Sequence, residues 1–459
     1  MVLALLGCLF LLSRWPFIFS GYGLDPDAYF VMLSAQKILA TARYWMSRPP
    51  GYPLFEIVCA FLSKGGFLAT NGMTVLISFL SLFPFAWILR HLRVKNQGWL
   101  LFTFCFAPII WVQSTCTMGY MWALFFIMLA CSFSFCRKYY AGAIFLGIAV
   151  GFRITSGLMI LPLSLQLFFQ ERNIRKIIPQ LFIFGLVCLL VYTPVFLSYG
   201  LSFWSYVPNK DSFSVWGYRT LSELFGFPAF FILAFGILIF IFKKAKGRMD
   251  TDTQVLVLIV VIYSLLFLKL PAETAYLIPL IPFGLILLDR IFSRKLLILF
   301  CIFFVLNGVI SIAAIDKKAY RKDGQVRVIP FDYGTVIKNE IRKRAVYQNA
   351  QKLLASAESL AKENKSAVII AWYKPVFQFL NQHALEEVPF DHRISALKRK
   401  GKDLLFLESV TDEELRFLRE RQFTIYYLDA AKGAESSARD ELFKYARQIP
   451  GIDSYPVNY

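Results

Sequence analysis

The sequence predicts an α-helical polytopic membrane protein of about eleven crossings, followed by a C-terminal extracytoplasmic α/β domain. Three observations predict it. The chain of 459 residues is 57% hydrophobic with a mean hydropathy of +0.56, where soluble domains sit nearer about 45–50%. The apolar residues are grouped into runs such as Val255 to Leu268 and Leu296 to Ile312, and no comparable run follows Ile315. The basic residues are concentrated between the runs.

In lipid each backbone polar group needs an internal partner, so the runs are read as helices. Five basic clusters fix their parity: Arg90, Arg93 and Lys95; Arg137 and Lys138; Arg172, Arg175 and Lys176; Lys243, Lys244, Lys246 and Arg248; Arg290, Arg294 and Lys295. Short basic loops mark the cytoplasmic side. An even number of crossings fits between successive clusters, with polar turns expected at Gln113–Thr117 and Pro271–Thr274. The interval Ala141 to Phe169 is too long for one helix, and Arg153 in its middle suggests two short helices meeting near the outer face. Met1 to about Phe19 is read as a retained first helix, since it has no basic leader and no small-residue cleavage site. The N-terminus is then cytoplasmic and the tail outside, with boundaries at 1–315 for the membrane domain, 20–72 for its first outer loop and 316–459 for the soluble domain.

The formal net charge of +19 does not point to nucleic acid, because much of the excess is accounted for by these loops. All eight cysteines (Cys8, Cys59, Cys105, Cys116, Cys131, Cys136, Cys188 and Cys301) precede the tail. None has a metal-ligand spacing. A tail outside the cytoplasm without disulfides suits a bacterial plasma membrane. Within it, Ser366 to Trp372, Asp403 to Leu407 and Phe423 to Leu428 read as strands, while Gln348 to Asn364 and Asp412 to Arg421 read as helices. His383 and His392 lack companions for a metal site.

The first outer loop carries the densest chemistry. It contains Asp25-Pro26-Asp27-Ala28-Tyr29 and, further on, Ser47-Arg48-Pro49-Pro50-Gly51-Tyr52-Pro53. Two carboxylates two positions apart beside a membrane suit a general base or the binding of a divalent cation. Arg48 before two prolines suits a phosphate. A plain helix start accounts for the same acids, with Asp25 as cap, Pro26 at the first helical position and Asp27 favoured by the dipole. A snorkelling role at the interface accounts for Arg48.

Taken together, this stretch resembles the GT-C superfamily of polytopic glycosyltransferases, in the manner of the dolichyl-phosphate-mannose–protein mannosyltransferases and the aminoarabinose transferases. Asp25 and Asp27 match the superfamily's acidic motif, Tyr29 the aromatic that often follows it, and Arg48 to Pro53, with Tyr52, the basic-proline element. Gly147 to Arg153 looks like its short paired helices, and Tyr276 to Pro282 like its late membrane segment. The resemblance covers the whole architecture, the soluble tail included, while the specific motif is carried by the first outer loop. The resemblance implies a transferase with a polyprenyl-phosphate-linked sugar as donor, acting at the outer face on a lipid, glycan or protein acceptor. It implies Asp25 or Asp27 as catalytic base, arginines on the lipid phosphate, and Asp25 with Asp27 as the ligands of any divalent cation; no other cofactor is implied.

Arg153 lies in an apolar stretch, where a charge faces a cavity or a partner, unless it is an interfacial loop residue. Lys269 and Glu273 flank the turn at Pro271, poised for donor phosphate and acceptor or for each other as a rim ion pair. The aromatic loop Leu201 to Phe225 (Phe203, Trp204, Tyr206, Trp216, Tyr218) suits sugar stacking or an interfacial belt. A transporter or flippase for a lipid-linked or small solute would place more ionisable groups in mid-membrane and show repeated halves. A scaffold or sensor would leave the acidic loop as mere capping.

Overall fold

The computed structural model describes residues 2–202, 219–244, 249–271, 273–315, 328–361, 365–389, 395–428 and 445–449. The chain divides into two compact units. One comprises Met1–Tyr22 and Ser34–Asn339; the other comprises Gly23–Leu33 and Glu340–Tyr459.

The helices run in the order α1 (Val2–Arg14), α2 (Asp27–Thr41), α3 (Pro53–Leu62), α4 (Gly66–Leu80), α5 (Leu82–His91), α6 (Gln97–Phe106), α7 (Pro108–Ser114), α8 (Tyr120–Phe135), α9 (Tyr139–Phe152), α10 (Ile160–Glu171) and α11 (Ile177–Tyr199). Then come α12 (Phe227–Lys244), α13 (Thr251–Lys269), α14 (Leu280–Ile291) and α15 (Arg294–Val309). Among the described residues three stretches are long and apolar enough to cross a membrane by length and composition: Pro53–His91, Ile174–Tyr199 and Thr251–Lys269. Other expected crossings are covered by shorter helices or interrupted ones. α11 leaves Phe182, Leu190 and Leu197 exposed, an apolar face suited to lipid.

The interruptions follow from particular residues. Pro108 lacks an N–H, so α6 stops at Phe106 and α7 restarts at Pro108, one break more than the polar turn expected at Gln113–Thr117. The freed carbonyl of Cys105 accepts from the guanidinium of Arg14, which is wholly buried and also donates to Ser114 Oγ at 3.4 Å. Arg14 lies over Phe10 at 3.9 Å and Trp111 at 4.5 Å. A cation at the C-terminal end of α6 also suits the helix dipole.

A buried polar network fixes the entrance to the first loop. Asn71 donates to the carbonyls of Ile18 (3.2 Å) and Gly21 (2.9 Å), and accepts from Thr117 Oγ1 at 2.9 Å. The Thr117 N–H donates to Tyr22 O at 2.7 Å. Every member is satisfied, which is the condition for a buried network to hold one conformation.

α15 leads into an antiparallel ribbon, β1 (Ile310–Ile315) with β2 (Val328–Tyr333). In the second unit lie most of helix α16 (Thr335–Leu360), then β3 (Ser366–Ile369), α17 (Lys374–Asn381), β4 (Leu385–Pro389), β5 (Ser395–Arg399), β6 (Leu404–Leu407), α18 (Asp412–Glu420), β7 (Thr424–Tyr427) and β8 (Ala446–Gln448). The sheet order is β4-β5-β6-β3-β7-β8. β3, β6 and β7 are parallel and central, and β3 and β6 are buried at every residue. The α/β expectation holds, with three strands added. The helix expected at Gln348 begins thirteen residues earlier, at Thr335. α18 starts on a capping box of Thr411 and Glu414.

Candidate functional site

In the first unit the loop before α3 is built around one acid. Glu56 lies in the first turn of α3 and is fully buried. Its Oε1 accepts from Ser47 N at 2.7 Å and from Ser47 Oγ; its Oε2 accepts from Tyr52 N at 3.2 Å and from the hydroxyl of Tyr44. Four donors from a nine-residue stretch therefore converge on one carboxylate, which satisfies a charge that would otherwise be costly in an apolar helix. Between these donors the chain turns through Arg48, the cis bond Pro49–Pro50, and Gly51 at φ +87°. A Cβ at Gly51 would meet the Tyr44 hydroxyl at 3.0 Å and Met46 Sδ at 3.3 Å, and with the positive φ this favours glycine. α11 ties the loop down from its side: Tyr192 donates to Gly51 O at 3.1 Å, and the Met46 N–H donates to the Tyr199 hydroxyl oxygen at 3.0 Å.

Tyr52, delivered by this loop, is shared by two arginines. Arg48 and Arg153 each place their guanidinium carbon 4.8 Å from its ring centroid. Arg153 occupies the junction expected for it. α9 ends at Phe152, Arg153 is extended (φ −155°, ψ 116°), and a 3-10 turn Ile154–Met159 leads into α10. The side chain is buried, which decides against an interfacial loop residue. It lies 3.5 Å over Tyr120 and 5.6 Å from Tyr276. Its Nη2 is 3.9 Å from Glu273 Oε2, an oxygen that also accepts from the Tyr120 hydroxyl. Nη2 is buried without a hydrogen-bond acceptor among the described residues. Tyr120 reaches this position because the preceding Gly119 touches the end of α9: a Cβ there would lie 2.8 Å from Phe152 O.

In the second unit, Asp25 Oδ1 accepts from Asp27 N at 2.9 Å and the carbonyl of Asp25 from Ala28 N at 3.1 Å. Asp25 thus bonds at the helix start, but α2 begins at Asp27, one residue later than the expected start at Pro26. The two side chains also bring carboxylate oxygens within 4.8 Å of each other. Tyr29, expected to bind substrate, is wholly buried with its ring 6.0 Å from that of Phe379. Its ring, in the first turn of α2, is packed within the core of that unit.

One further expectation is corrected. Glu273 pairs with Arg153 and not with Lys269, which has no ion-pair partner among the described residues and lies exposed at the end of α13. The Arg153 pair wins because it is largely withdrawn from water and reinforced by Tyr120. Phe203, Trp204, Tyr206, Trp216, Tyr218 and His392 lie outside the described residues. Sequence reasoning missed Glu56, Tyr120 and Tyr276 as members of the site. An acid inside the run Pro53-Leu54-Phe55-Glu56-Ile57-Val58 was the available signal for the first.

No family model and no curated protein matches the sequence. Two solved structures show a distant likeness. ArnT from Cupriavidus metallidurans, in the apo state, is 12% identical over 82% of this chain and 84% of its own, with a TM-score of 0.40. The oligosaccharyltransferase of Archaeoglobus fulgidus, tethered with an acceptor peptide containing the NVT sequon, is 12% identical over 82% of this chain and 62% of its own, with a TM-score of 0.42. At these TM-scores neither likeness carries an argument about the site.

Proposed function

We propose that this chain is a glycosyltransferase that moves a sugar from a polyprenyl-phosphate-linked donor to an acceptor at the outer face of the membrane. The observation that carries the reading is Arg153: buried, ringed by Tyr52, Tyr120 and Tyr276, with Nη2 lacking a hydrogen-bond acceptor among the described residues. A phosphate oxygen would complete that arrangement, and a guanidinium is the group suited to holding it. Arg48, on the same Tyr52 ring, is the second phosphate contact in this reading. Lys269 and Glu273 border the donor site.

Asp25 is favoured as the base that takes the proton of the acceptor hydroxyl, with Asp27 next to it. The acceptor oxygen then bonds to the sugar's anomeric carbon, and the bond from that carbon to the phosphate oxygen breaks with the lipid phosphate as leaving group. The separation of Asp25 and Asp27 suits a shared divalent cation, which would offset charge on the phosphate. Residues 1–315 form the catalytic membrane domain and 316–459 the domain outside, with the N-terminus cytoplasmic and the protein in a bacterial plasma membrane. The acceptor is a lipid, a glycan or a protein.

The test is transfer by purified, detergent-solubilised protein from a panel of polyprenyl-phosphate sugars. Asp25→Asn keeps a capping side chain, so it should unfold like the wild type while transfer falls about 100-fold or more. Should the wild type neither transfer nor hydrolyse any donor while a labelled lipid or solute still binds, a transporter or scaffold replaces the enzyme.

A further inference from the structure

Glu56 is a buried acid that takes no part in the reaction proposed above, yet its carboxylate accepts four hydrogen bonds. Its donors are not scattered. Ser47 N, Ser47 Oγ and Tyr52 N flank Arg48-Pro49-Pro50-Gly51, and Tyr44 lies just before. Oε1 holds Ser47 at the near end of the turn, and Oε2 holds Tyr52 at the far end together with Tyr44, which precedes the turn. The carboxylate therefore closes the turn at its base, as a capping side chain closes the start of a helix. What the turn presents is Arg48 over Tyr52, the ring that Arg153 also stacks against.

We infer that Glu56 is a positioning residue, which fixes Arg48 and Tyr52 so that two guanidinium groups face one phosphate-bearing ligand. This rests on the reading of the site as a phosphate-sugar site. Glu56 touches no substrate in this scheme. Replacing it by glutamine keeps the volume and one acceptor but turns an NH2 donor toward donors at one end of the turn, and that end is released.

The test uses the full-length protein in detergent, with farnesyl phosphate as probe, and compares wild type, Glu56→Gln, Arg48→Ala and the double variant. Amide exchange is followed by mass spectrometry over residues 44–52. The inference expects faster exchange in 44–52 for Glu56→Gln with the rest of the chain unchanged. It also expects roughly tenfold weaker probe binding in that variant, and a double variant no weaker than Arg48→Ala alone, since Glu56 acts through Arg48. Unchanged exchange in 44–52, or faster exchange with unweakened binding, overturns the inference even though the wild type binds the probe. Additive losses in the double variant overturn it as well. A wild type that binds no farnesyl phosphate overturns the proposed donor class itself, and with it the phosphate role of Arg48.

Discussion

Arg153→Met tests whether the cage around Arg153 is there for stability or for a ligand. In favour of stability stand the contact with Tyr120 at 3.5 Å, worth about 2 kcal/mol when desolvated, and the attraction of Glu273 at 3.9 Å. That attraction is roughly 4 kcal/mol at an effective dielectric of about 20. Against it stands the desolvation of a buried guanidinium, several kcal/mol. Nη2, which has no hydrogen-bond acceptor among the described residues, adds about 1–3 kcal/mol more. Glu273, whose side chain is 21% exposed, keeps Tyr120 and some water when Arg153 is gone. The opposing effects nearly cancel, so Arg153→Met should alter unfolding stability by no more than about 1 kcal/mol while removing sugar transfer and phosphate binding. Thermal unfolding with and without farnesyl phosphate reads both halves: the ligand should raise the wild-type transition and leave that of the variant unmoved. A variant destabilised by about 3 kcal/mol or more would refute the reasoning, because the cage would then be an ordinary structural pair.

Other consequences can be checked alongside. Arg14→Met strands the Cys105 carbonyl at the α6–α7 break and should destabilise by about 1–3 kcal/mol. Arg14→Lys should not restore it, since one ammonium cannot reproduce the planar fork. Gly51→Ala places a methyl at φ +87° against Tyr44 and Met46 and should cost about 1–2 kcal/mol, with faster amide exchange across the turn. At the start of α13, burial alone would raise the Asp250 carboxyl, but Thr253 and the Arg290 guanidinium at 2.9 Å outweigh it and hold it below its ordinary value. A depressed carboxyl stabilises the fold above its unfolded-state value, and this contribution is lost as pH falls through the folded-state value. Since Asp250 is largely exposed, the effect is small and screened by salt; acid unfolding of Asp250→Asn should lack this component.

The broad fold was legible because lipid imposes a strong pattern: apolar runs bounded by basic loops. Arg153 was legible for the same reason, as a charge where charges are expensive. Breaks such as the one at Pro108 were less visible, since the run on either side is equally apolar and the residue that resolves the break, Arg14, lies far back in the chain. In the tail, β3 and β6 are buried at every position and showed as apolar runs, whereas β4 (Leu385–Pro389) carries exposed Glu386 and Glu387 at the sheet's edge and reads as a loop. The Arg153 cage escaped because Tyr52, Tyr120 and Tyr276 meet only through tertiary packing. Glu56 was hidden in a loop assignment spanning 20–72, whereas α3 begins at Pro53.

The grouping of Gly23–Leu33 with Glu340–Tyr459 has a consequence for biosynthesis. The segment carrying Asp25 and Asp27 leaves the ribosome near the beginning of translation, but Phe379, against which Tyr29 packs, is made some 350 residues later (379 − 29 = 350). Contacts of such sequence separation form late, so the acidic loop waits through insertion of the helices before its packing exists. A chain cut before residue 340 would hold every helix from α1 to α15 and still lack the core against which Gly23–Leu33 packs.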